Sequence, residues 1–118
     1  MDSDLYQKLA ARTLIDKPDY PLSDEEMMIV WNGLGLAGEA GEVCDQIKKG
    51  IFHRHGLDKQ KLRKEIGDVL WYLAAICTKT GISLYDAMEE NIEKLEKRYP
   101  EGYSSENSVK RIDERGSE

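Results

Sequence analysis

Residues 38–68 read GEAGEVCDQIKKGIFHRHGLDKQKLRKEIGD, and this stretch decides the fold. It contains two acidic pairs at i,i+3 spacing, Glu39 with Glu42 and Glu65 with Asp68, in helix-favouring sequence on either side of a turn around Gly50 and Gly56. Residues three apart share a helix face, so each pair presents two carboxylates together. Glu42 precedes Gly50 by about as many residues as Glu65 follows Asp58, and Glu39 and Asp68 match in the same way. In an antiparallel hairpin the members of each match lie level to within about 1.5 Å of rise. The angles agree as well. With Leu36 at zero and about 100° per residue, Ala40, Val43 and Ile47 form an apolar stripe, flanked by Glu39 near −60° and Glu42 near −120°. Leu62, Ile66, Val69 and Leu73 form the second stripe, and Glu65 and Asp68 fall at the same two offsets from Leu62. Facing stripes in an antiparallel pair bring equal offsets to one side, which predicts a four-carboxylate box beside an apolar seam.

Working outward, Ser23 with Glu26 reads as a capping box that starts a helix running to about Lys49. Asp58 caps the next helix, which ends near Thr80 with Gly81 as its stop signal. Ser83 caps a further helix, with Asp86 at the capping-box position and Leu84, Met88, Ile92 and Leu95 on one stripe, closed by Pro100 after Tyr99. A short first helix opens at Asp2 or Ser3, and Pro18 and Pro21 make the next stretch a connector. Gly33, Gly35, Gly38 and Gly41 are unusual within one helix, each costing up to about 1 kcal/mol relative to Ala. Close helix packing or a close ligand would offset them. The reading is an all-α antiparallel helical bundle of four main helices completed by homo-oligomerisation, with one domain over 1–103 and a polar, flexible tail over 104–118.

The chain has 118 residues, 40% hydrophobic and 34% charged, with a formal net charge of −6. That balance argues against a nucleic-acid or anionic-membrane binder. No apolar run or leader suggests a membrane segment, and Cys44 and Cys77 within helices read as reduced thiols, so a cytoplasmic location is expected.

Four carboxylates held together repel one another unless some take up protons or a hard cation joins them. Mg²⁺, with Mn²⁺ as a substitute, suits an all-oxygen site shared with phosphates. The bland alternative is a pair of solvated acidic faces. A di-iron carboxylate bundle is disfavoured because no Glu-x-x-His pair accompanies the acidic helices; His53 and His55 fall in the loop.

The run GLAGEAGEV at 35–43, followed after an interval by EIGD at 65–68 and later by NIEKLEKRY at 91–99, resembles the signature of MazG-like, all-α nucleoside triphosphate pyrophosphohydrolases. The resemblance covers roughly 23–103. It implies a Mg²⁺-dependent enzyme converting a nucleoside triphosphate to the monophosphate and pyrophosphate, assembled as a homodimer or tetramer. It further implies that Glu39, Glu42, Glu65 and Asp68 are the metal ligands. Either Glu39 or Glu42 is the first choice of catalytic base, because the Gly-rich backbone around them leaves room for substrate and water.

The remaining candidates are substrate contacts. Asn91, Lys94 and Arg98 lie on one flank of the last main helix, where the two cations suit phosphate oxygens; solubility and core packing are their plainer roles. Lys49 shares the face of Glu42, and could equally serve the helix dipole. Tyr72 points to the acidic side, at a position the resemblance places against the sugar, while Trp71 points away. Trp31 is placed where a base could stack, although an aromatic at helical spacing more often belongs to a core. A non-catalytic helical module that binds a cation or a partner's basic face is the alternative from another class.

Overall fold

The computed structural model describes residues 1–114. They form α1 (Ser3–Ala10), α2 (Asp24–Ile47), α3 (Lys59–Thr80), α4 (Leu84–Arg98) and α5 (Ser105–Lys110), with short 3₁₀ turns at Ala11–Thr13 and Ile112–Glu114. Among the described residues there is no strand, only an isolated bridge between Pro100 and Gly102. No helix among them is long and apolar enough to cross a membrane.

The helix boundaries follow local chemistry. Asp2 accepts a hydrogen bond from the Leu5 amide at 2.7 Å. Ser23 Oγ accepts from the Glu26 amide at 3.0 Å while Glu26 Oε1 accepts from the Ser23 amide at 2.9 Å, so two otherwise orphaned donors are satisfied reciprocally. Asp58 Oδ1 accepts from the amides of Gln60 and Lys61, and Ser83 Oγ from that of Asp86. Such caps contribute about 1 kcal/mol each. At the end of α3, Gly81 takes φ +75°, a left-handed turn that a side chain disfavours.

The end of α2 differs from the expected α-helix to Lys49: from Lys48 to Phe52 the chain widens into a π-helical turn. Gly50 permits the return of the loop, because a Cβ there would meet the Leu57 backbone at 3.0 Å.

α2 and α3 form an antiparallel hairpin and carry most of the tertiary contact. Its direction is fixed by cross-helix pairs: Glu25 near the start of α2 meets Lys79 near the end of α3 at 3.6 Å, and Gly35 lies against the Tyr72 ring. A Cβ on Gly35 would collide with that ring, so one of the four costly glycines is explained by close packing. Gly33, Gly38 and Gly41 have open space where a Cβ would go.

α4 touches α3 only slightly, and α1 packs chiefly against its own 3₁₀ turn. Within one chain, therefore, the four helices do not close into a bundle. Asn32 and Arg98 are the only buried residues among those described, and no hydrophobic side chain is buried. The radius of gyration is 20.6 Å, against roughly 13.5 Å for a compact domain of this length.

Within 104–118, where composition suggests a flexible tail, the chain forms α5 and a 3₁₀ turn up to Glu114, and residues 115–118 lie outside the described residues. Ser104 caps α5 by accepting from the Asn107 amide. Arg111 then adopts a left-handed conformation, φ +46°, which turns the following segment back toward α4.

Candidate metal centre and substrate site

The acidic site arises from the hairpin register. α2 presents Glu39 and α3 presents Glu65 and Asp68, with one carboxylate oxygen of each within 4.8 Å of the other two. Glu39 and Glu65 are half-buried and Asp68 is exposed. Hydrogen bonding to Glu65 raises the Glu39 pKa above the ordinary carboxylate value, followed by burial and by the negative charges of Asp68, Glu65 and Glu42. An upward shift beside like charges is the expected response of a carboxyl in an acidic cluster. Three hard oxygen donors at this spacing suit a hard divalent cation, and no His belongs to the group.

Glu42 stands outside this close group. It lies one turn beyond Glu39, is exposed, and acts on Glu39 through charge alone. Helix angle does not separate the two, because Asp68 has the same offset from its own stripe as Glu42 and still belongs to the group.

The other expected contacts are dispersed. Lys49 Nζ is 2.8 Å from Asp45 Oδ2 one turn back, and this partner pulls the Asp45 carboxyl below its usual pKa. Tyr72 fills the space beside Gly35 and meets Trp71 edge to face with ring centroids 5.1 Å apart, so it serves the seam. Asn91 and Lys94 line a shallow surface groove with Ala87 and Glu90, all on α4, the helix that touches α3 only slightly. Arg98 is not open to solvent on a flank; its guanidinium is bound by Asp113 and Glu114. Trp31 is 68% exposed.

A second groove joins Asn32, which the sequence did not single out, to Trp71, which was expected only to point away from the acidic side. Asn32 and Trp71 line a cavity of about 400 Å³ between α2 and α3, together with Met28, Ala74, Ala75 and Thr78. The available signal was the spacing: Asn32 is seven residues before Glu39 and on the same helix face.

Comparison with known proteins follows the same residues. The family described as "MazG nucleotide pyrophosphohydrolase domain" matches residues 32–103, a span that contains the whole acidic group. The chain is 32% identical over 106 residues to "Gene 37 protein" of Mycobacterium phage L5, covering 86% of this chain and 92% of that protein. No solved structure gives a significant match.

Proposed function

The chain belongs to the MazG nucleotide pyrophosphohydrolase family, and from that premise we propose that it hydrolyses a nucleoside triphosphate to the monophosphate and pyrophosphate with Mg²⁺ in the acidic site. The observation that carries this reading is the meeting of Glu39, Glu65 and Asp68 within 4.8 Å inside the span that matches the family. Glu39, Glu65 and Asp68 would hold the ion. When bound, it would offset phosphate charge and make a nearby water easier to deprotonate.

The chain's own groups supply the rest. The neighbouring carboxylates that raise the Glu39 pKa are the charges a bound cation would offset. Glu42, adjacent on α2 and outside the close group, would accept the proton of the attacking water. Its exposure keeps it in reach of solvent. Open space at Gly38 and Gly41 on either side of Glu39 leaves room for phosphates to approach the backbone.

Lys94 and Asn91 are proposed as phosphate contacts that a second copy of the chain would deliver, since α4 touches α3 only slightly within its own chain. The working assembly is a cytosolic homodimer or tetramer. Incubation with a panel of canonical and modified triphosphates and Mg²⁺ tests the reaction: monophosphate and pyrophosphate are expected, and a diphosphate with inorganic phosphate would reject it. Glu42→Gln should abolish turnover with helix content unchanged, and retained turnover would remove Glu42 from the mechanism.

A further inference from the structure

Asn32 is 5% exposed, a polar residue at the most enclosed point of the α2–α3 seam. Its Nδ2 donates to the Met28 carbonyl at 2.8 Å. That bond fixes the orientation of the amide, since the opposite orientation would set two acceptors against each other. Oδ1 receives no hydrogen bond from any described residue. No unpartnered side-chain oxygen or nitrogen of the non-exposed described residues is sealed from solvent, so Oδ1 opens onto the groove that Asn32 lines. A nearly buried acceptor without a protein donor is a group awaiting a partner.

The groove is placed relative to the acidic site by spacing. Asn32 is seven residues before Glu39 on α2, and Ala75 seven after Asp68 on α3. Seven residues are close to two turns, so both relations stay on one helix face, with about 10.5 Å of rise between them. Trp71, one turn from Asp68, contributes an indole to the same groove. Phosphates at the acidic end would thus leave the ribose to span the seam and the base to enter the groove. The cavity's 400 Å³ falls in the usual range for small-molecule sites.

We propose that this groove is the nucleobase subsite and that Asn32 Oδ1 selects bases whose exocyclic amino group donates to it, cytosine or adenine over uracil or hypoxanthine. This rests on the triphosphate reading of the acidic site. Trp71 supplies a flat apolar surface for the ring of either class of base, so it contributes affinity and Asn32 contributes choice.

Titration calorimetry with nucleoside monophosphates in the presence of Mg²⁺ tests the groove separately from the chemistry. The paired probes are cytidine with uridine monophosphate and adenosine with inosine monophosphate. The amino member of each pair should bind several-fold to about tenfold tighter, the range of one hydrogen bond. Asn32→Leu should bring each ratio to about one. Trp71→Ala, at an exposed position, should weaken both members about equally, by roughly tenfold. Equal affinities within each pair in the unaltered protein would overturn the proposal, as would an unchanged ratio in folded Asn32→Leu or unchanged affinities in Trp71→Ala. If Asn32→Leu does not fold, the unaltered protein and Trp71→Ala decide. Selective binding without turnover of any triphosphate would reject the hydrolase reading and keep the groove; turnover without selectivity would do the reverse.

Discussion

The Arg98 guanidinium grips the Asp113 carboxylate as a fork, Nε to Oδ1 at 2.6 Å and Nη2 to Oδ2 at 2.9 Å. Both side chains are largely enclosed, at 10% and 5% exposure, and Glu114 adds a third contact at 3.3 Å. Two parallel charge-assisted bonds make this a strong geometry. Asp113 lies beyond the family-matched span, which ends at residue 103, so the fork ties a segment outside that span to its closing helix. Asp113→Asn leaves the guanidinium enclosed with half its partner, and the melting temperature should fall by several degrees at neutral pH. The fork holds the Asp113 carboxyl below its ordinary value of 3.8. A carboxyl with a lowered folded-state pKa stabilises the fold fully above its unfolded value, and that contribution disappears as pH falls below it. The melting difference between Asp113→Asn and the unaltered protein should therefore be constant from pH 8 to 5 and shrink below about 4. A difference that persists unchanged in acid would show that the carboxylate charge is not its source.

The contact of Gly35 with Tyr72 gives a prediction of sign. Gly35→Ala forces the Tyr72 ring to move; overpacking of this kind costs about 1–3 kcal/mol, against a helix-propensity gain of up to about 1 kcal/mol. A net loss near 1 kcal/mol is expected. Gly33→Ala places its methyl in open space on the same helix and should gain about 0.5–1 kcal/mol. Urea denaturation of the two variants tests the pair, and a stabilising Gly35→Ala would contradict the packing.

What the sequence made legible is what helices encode locally. Ser23 with Glu26, Asp58, Gly81 and Ser83 mark their helix ends because each acts on amides within four residues. The convergence of Glu39, Glu65 and Asp68 was also readable, since hairpin level and angular offset follow from residue counts on either side of a turn. Glu42's place outside the close group was not, because that depends on how far each side chain reaches across the seam. The Arg98–Asp113 fork spans fifteen residues and depends on the left-handed turn at Arg111, which no arginine announces. The enclosure of Asn32 shows only once α3 is packed beside it.

The acidic group predicts a metal-linked stability. With like charges drawn together in its absence, a bound divalent cation should stabilise the fold by about 2.7 kcal/mol at a hundred times its dissociation constant. Thermal melts with and without Mg²⁺ should separate accordingly. Glu65→Gln should abolish most of that separation. It should also lower kcat/KM by more than about 100-fold, the upper end of what loss of a mere outer-shell partner costs. An equal Mg²⁺ response in Glu65→Gln would place the ion elsewhere.

The largest prediction concerns assembly, because the isolated chain has nowhere to put its apolar surface. Met88 and Ile92 on α4 are 60% and 55% exposed, and Leu70 on α3 is 55% exposed beside an apolar cleft lined by Ala40, Val43 and Ile66. In a monomer, Ile92→Glu would be an ordinary surface change within about ±0.5 kcal/mol. In a homo-oligomer that buries α4, it would forfeit the roughly 1.5–3 kcal/mol of a buried isoleucine in every copy and leave a carboxylate without water. Light scattering should give the unaltered chain at least twice its 13.5 kDa mass, with Ile92→Glu shifted toward the single chain and melting far lower. If copies also supply Lys94 to each other's acidic group, turnover in Ile92→Glu should fall with the mass and recover as protein concentration restores the oligomer. A monomeric unaltered chain with full activity would overturn both the assembly and the shared site.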